Sequence, residues 1–121
     1  MSLIAIWVDQ HEANVYKFTP AGIKKENYQG HSQSHHTHSH DHLEEQKHEA
    51  TIFKKLTSHL NEAEQILILG PGLAKIHLKK YLENQSALLA KKIVGCESTD
   101  HPTEPQLLSY ASKFFNTEHL K

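Results

Sequence analysis

Gln65-Ile66-Leu67-Ile68-Leu69-Gly70-Pro71-Gly72-Leu73-Ala74-Lys75 sets four consecutive large aliphatics directly before Gly-Pro-Gly. An uninterrupted apolar run of this length predicts a strand buried on both faces, and the glycines predict a tight turn into a helix. Gly70 and Gly72 can take positive φ where the chain reverses. Pro71 has no N–H to offer a ladder, so the strand stops there. A strand of this kind belongs in the middle of a partly parallel sheet.

The rest of the chain is read around that centre. Leu3–Val8 is a first strand, and Asp9-Gln10-His11-Glu12 is a polar break of hairpin length. Ala13–Phe18 alternates, with Ala13, Val15 and Phe18 as its apolar set, and predicts an antiparallel second strand. Thr19-Pro20-Ala21-Gly22 is turn chemistry, and the charge of Ile23–Tyr28 predicts an edge strand. Residues 30–42 carry no apolar side chain and are read as a His-rich loop. Asp41 and Glu44 form a capping box for a helix with a core face at Phe53, Leu56, Leu60 and Ala63.

After the central strand, Leu73–Glu83 is helical, with Ala74, Leu78, Tyr81 and Leu82 on one side and Lys75, Lys79 and Lys80 off it. Asn84-Gln85-Ser86 breaks that helix, and Ala87–Lys91 adds a further turn. Ile93–Cys96 is the fifth strand. Thr103 with Gln106 caps a last helix whose apolar face is Leu107, Tyr110, Ala111, Phe114 and Phe115. The order β-β-β-α-β-α-β-α with two right-handed crossovers predicts an α/β, ribonuclease H-like three-layer fold. Its mixed five-stranded sheet has the order 3-2-1-4-5, with three main helices.

Length and charge narrow the function. The 121 residues are read as one domain, 1–121, large enough to bury about two-thirds of the surface that its unfolded form exposes. No apolar run is long enough for a membrane helix, and Met1–Val8 lacks the basic lead of a secretory signal. Cys96 is the single cysteine, which excludes an internal disulfide and fits a reducing cytoplasm. Net charge is -1, with 14 acids against 13 bases, and every base is Lys. Without a basic excess or any Arg, the nucleic-acid signal is weak.

With the element order in view, the chain resembles the central domain of the archaeo-eukaryotic class I release factors and of Pelota, the ribosome-rescue factor. Val8-Asp9-Gln10-His11-Glu12-Ala13-Asn14-Val15-Tyr16 is similar to the first hairpin of that family. Ile66–Lys75 is similar to its strand and Gly-Pro-Gly-x-x-Lys turn. Gly95–Leu108, with Asp100-His101-Pro102-Thr103, resembles the closing strand and helix of bacterial single-domain relatives. The resemblance implies a translation-related, non-enzymatic module with the ribosome or a translation factor as partner. In release factors the loop between third strand and first helix carries Gly-Gly-Gln, which triggers peptidyl-tRNA hydrolysis. Here that place holds Gly30-His31-Ser32-Gln33, so termination activity is not implied. The flanking domains that read codons or contact partner factors are also missing from this chain.

The twelve histidines suggest a second function, since seven of them lie in Gly30–Glu49. His36-x-His38-x-His40-x-His42 has period two, so an extended chain projects four imidazoles to one side. With His31, His35 and Asp41 nearby, this suits Zn²⁺, Ni²⁺ or Cu²⁺. A solvated linker has the same sequence pattern, and a defined site needs ligands that something fixes. The predicted topology also collects Asp9, His11, Gly70, Gly72, Lys75, Asp100 and His101 at the carboxyl ends of the parallel strands, where open α/β sheets bind ligands. There His11, Asp100 or His101 could anchor a metal, and Gly70–Gly72 with Lys75 could hold an anion. Turn and capping roles explain the same residues, and the turn matches no nucleotide-cofactor fingerprint. The fourth strand offers no acid for two-metal nuclease chemistry. Oligomeric state is open, with metal bridging of two His loops one route to a dimer.

Overall fold

The computed structural model describes residues 2–29, 42–100 and 102–115. In chain order the elements are β1 (Ser2–Val8), β2 (Glu12–Thr19), β3 (Gly22–Gln29), α1 (His42–Thr57), β4 (Ala63–Gly70), α2 (Ala74–Gln85), α3 (Ala87–Lys92), β5 (Ile93–Ser98) and α4 (Glu104–Phe115). The strands form one sheet in the order β3-β2-β1-β4-β5, as the sequence predicts. β1 runs antiparallel to β2 and β2 to β3, whereas β4 is parallel to both β1 and β5.

The central pair explains the layering. In register, Ile4 meets Ile66 and Ile6 meets Ile68, while Ala5 meets Leu67 and Trp7 meets Leu69. Because strand side chains alternate between faces, each strand feeds two cores at once. Ile4, Ile6, Val8, Ile66 and Ile68 join Ile52 and Leu56 of α1, Leu78 and Leu82 of α2, and Leu89 of α3. Leu3, Ala5, Trp7, Leu67 and Leu69 join Leu107, Ala111 and Phe115 of α4. Three helices thus cover one face and a single helix covers the other. The continuous apolar run in β4 is the signature of this two-sided burial.

Three local expectations change in the structure. β2 does not bury one face only: Ala13 and Val15 enter the first core, and Tyr16 and Phe18 enter the second, where Phe18 meets Phe115 edge-on at 5.8 Å. α1 ends at Thr57, whose hydroxyl donates back to Phe53 O, and two tight turns follow. Leu60 is therefore buried from a turn and Ala63 from the start of β4, although both continue the helical spacing. Lys75, expected off the apolar side of its helix, is buried, and its ammonium donates to Gly72 O.

The breaks follow their sequence signals. Ser86 closes α2, donating its N–H to Leu82 O, and opens α3, its hydroxyl accepting from Leu88 and Leu89 N–H. Thr103 and Gln106 form the reciprocal capping box of α4. Gly22, Gly70 and Gly72 all have positive φ. Gly70 carries a second constraint, because a Cβ there would lie 2.1 Å from the carbonyl oxygen of Val8. Gly70→Ala is expected to lower the urea midpoint by more than Gly22→Ala, which meets only the backbone strain of about 1–3 kcal/mol. Equal losses in the two variants would show that the close approach to Val8 contributes nothing.

Candidate functional site

The carboxyl ends of β1 and β4 meet in a built corner. Asp9 N–H donates to Glu12 O at 3.0 Å, and Asp9 Oδ1 accepts from His11 N–H at 2.8 Å and Glu12 N–H at 2.9 Å. That geometry makes Asp9 the organiser of the β1–β2 turn. On the neighbouring strand, Thr99 N–H donates to Gly70 O at 3.0 Å. Between the two turns lies an open cleft of about 330 Å³, lined by Asp9, Gln10, His11 and Pro71–Ala74. His11, Gly72 and Leu73 are exposed on its rim, and Gly70 is buried beneath.

Of the residues expected at this edge, the fold brings Asp9, His11 and Gly72 into one cleft. Gly70 serves the close contact of β4 with β1, and Lys75 serves the turn itself. Asp100 is held elsewhere, its carbonyl accepting the indole N–H of Trp7 at 3.1 Å, which ties the β5–α4 connection to β1. His101, and His31 to Asp41, lie outside the described residues; His42 opens α1. Among the described residues, no three His, Cys, Asp or Glu side chains converge as a metal set would. Cys96 is partly buried, with Sγ 3.7 Å from Lys75 O, and burial pushes its thiol above the ordinary range. A thiol so placed is a poor nucleophile.

A second polar cluster escaped the sequence reading. Lys25 Nζ lies 2.8 Å from Glu104 Oε2, which also accepts from the Tyr16 hydroxyl at 3.3 Å. The same ammonium sits 5.8 Å from the Tyr16 ring centroid. The hydrogen bond from Lys25 holds the Glu104 carboxyl below its usual range, whereas burial raises the Tyr16 phenol. Together with Trp7, Asn14 and Leu107 these groups line a cleft of about 240 Å³. The two-residue turn of the β2–β3 hairpin already implies the Tyr16–Lys25 pairing. Nothing local implies Glu104, which arrives from the far end of the chain.

At the β3 edge, the Tyr28 hydroxyl donates to Glu26 Oε1 at 2.5 Å, and His59 Nε2 lies 3.7 Å from the same oxygen. Burial first, and then the Glu26 hydrogen bond, push the Tyr28 phenol well up. The Tyr110 phenol is also raised, chiefly by burial.

Two expected outcomes test this description. Asp9→Ala loses two backbone bonds and should cost about 1–2 kcal/mol in urea unfolding, whereas Asp9→Asn keeps the acceptor and should cost far less. Similar losses in both would mean that the carboxylate charge matters beyond the turn. Raised phenols favour the neutral form in the folded state, so their contribution is full below the unfolded tyrosine pKa of about 10 and fades as pH climbs through the raised values. Absorbance at alkaline pH should show Tyr16, Tyr28 and Tyr110 ionising late in the folded protein and at the ordinary pH in urea. Coincident folded and unfolded titrations would contradict these placements.

No protein-family model and no curated protein matches the sequence. Solved structures do match. The archaeal translation termination factor aRF1 aligns with a TM-score of 0.66 and 18% identity over 98% of this chain and 36% of its own. The Pelota protein of Thermoplasma acidophilum aligns with a TM-score of 0.64 and 19% identity over 99% of this chain and 36% of its own. Pelota of Archaeoglobus fulgidus gives 0.59 and 11%, over 98% and 34%. The chain thus spans about a third of the length of these proteins, and its fold is that of the central domain of release factors and Pelota.

Proposed function

We propose that this chain is a non-enzymatic binding module of the translation machinery that acts in the cytoplasm, at or near the ribosome. The supporting observation is the fold: nearly the whole chain superposes on part of a translation termination factor and of two Pelota proteins. The segment joining β3 to α1 lacks the Gly-Gly-Gln on which the release-factor resemblance rests hydrolysis. Binding without peptidyl-tRNA cleavage is the function this combination supports. The chain is close to electroneutral and its only fixed cations are Lys, so general attraction to RNA is weak. Recognition then rests on shape and on specific contacts with a protein or ribonucleoprotein surface.

The test is co-sedimentation with ribosomes over a salt series. Association that persists at moderate salt, with no peptidyl-tRNA hydrolysis above background, is the expected result. Association that disappears at moderate salt would be the screened attraction of scattered lysines and would overturn the reading.

A second reading is favoured by the period-two histidines of His36–His42: a transition-metal protein that uses this segment to bind Zn²⁺, Ni²⁺ or Cu²⁺. Calorimetric titration with Zn²⁺ and Ni²⁺ separates the two. The comparison is between the intact chain and one with His35, His36, His38, His40 and His42 changed to Ser. Tight binding at fixed stoichiometry in the intact chain alone would establish the metal reading. Weak binding at many sites would leave the translation reading as the sole function.

A further inference from the structure

The two edges of the sheet are unlike. β3 presents Lys24, Lys25 and Glu26 on an almost wholly exposed strand, and Lys24 lies opposite Lys17 of β2. Charges of this density turn away a further strand. β5 ends the sheet on the other side and pairs only with β4 among the described strands. Along Ile93–Ser98 the only charge is Glu97.

Apolar surface gathers at this same rim. Val94 is 40% exposed, Tyr110 40% and Phe114 37%, high values for residues of their size. The β4–β5 register passes from Ile66↔Ile93 to Leu67↔Gly95, so Val94 is the bulged residue of the edge. Phe114 lies directly over Gly95, where a Cβ would fall 2.4 Å from its ring, and Tyr110 stacks beside Phe114 at 6.3 Å. The outer side of β5, unpaired among the described residues, and the aromatic pair of α4 meet at Gly95.

The charge sequence along β5 selects the occupant. Lys91 and Lys92 precede the strand, while Glu97 and Asp100 lie at and beyond its end. A second copy laid parallel would set like charges together. A second copy laid antiparallel sets the lysines of one strand toward the acids of the other. This is the self-complementary pattern that a two-fold axis requires.

We propose that β5 is the seam of a homodimer, in which two copies pair their β5 strands antiparallel about a two-fold axis near Gly95–Cys96 and enclose Val94, Tyr110 and Phe114. Backbone hydrogen bonds supply the pairing, and the aromatic pair from each copy covers the junction on the α4 side. The proposal is independent of the ribosome reading.

Sedimentation velocity of the full chain, in EDTA so that bridging metal makes no contribution, is the test. A dimer should form reversibly across the micromolar range. Val94→Glu, which the axis sets opposite Glu97 of the other copy, should weaken it by at least about tenfold, which is 1.4 kcal/mol. Ile23→Lys on the opposite edge should leave it unchanged. If Val94→Glu loses its native circular dichroism, hydrogen exchange of the unaltered chain decides instead. Amides of residues 93–98 that exchange more slowly as concentration rises support the seam, and concentration-independent exchange overturns it. A chain that stays monomeric throughout the range overturns the proposal, and so does a dimer that Val94→Glu leaves intact or that Ile23→Lys disrupts equally.

Discussion

Parallel pairing of β1 with β4 is the constraint on which the remainder depends. Ile4 against Ile66 and Ile6 against Ile68 are fully buried on one side, and Ala5 and Trp7 against Leu67 and Leu69 on the other. Fully burying one such aliphatic side chain contributes roughly 1.5–3 kcal/mol, so this short ladder concentrates much of the fold's apolar gain. Helices must cover both faces, and the chain supplies α1, α2 and α3 to one and α4 to the other. Parallel strands also require long crossovers, which is why each return to the sheet is helical. The corner that ends the pair follows from the same contact: Gly70 passes so close to Val8 O that no side chain fits.

This architecture leaves its chemistry at the margins. The cleft at the carboxyl ends is framed by two turns whose polar groups are largely occupied in making the turns, Asp9 with backbone amides and Lys75 with Gly72 O. Cys96 has a raised thiol pKa. The Tyr16–Lys25–Glu104 group joins β2, β3 and α4 across the sheet. Such a surface is equipped to hold its own shape.

How much was legible in advance depended on the range of each signal. Capping by Thr103 and Gln106, the break at Ser86 and the stop at Gly-Pro-Gly are decided within four residues, and each appears where the sequence puts it. The continuation of α1 to Ala63 misled because Leu60 and Ala63 keep the helical spacing while serving a turn and a strand. Periodicity records which residues are buried, not which backbone carries them. Tyr16 stands outside the apolar set that the alternation of β2 predicts, yet α4 covers its face and makes it core. Lys75 stands off the apolar side of its helix by sequence, and only the fold of the turn buries it and gives its ammonium the carbonyl of Gly72.

By itself the sequence determined the element order, the strand order β3-β2-β1-β4-β5 and the burial of the central strand on both faces. All three follow from local turn chemistry, from hydrophobic runs and from the limited ways of connecting strands. The tertiary structure decided which residues meet across long separations. It brought Trp7 to Asp100, Tyr16 and Lys25 to Glu104, and Phe114 onto Gly95. Those contacts arise when α4 docks across the second face of the sheet, and docking depends on the complementarity of two assembled surfaces. No stretch of chain contains that information until both surfaces exist.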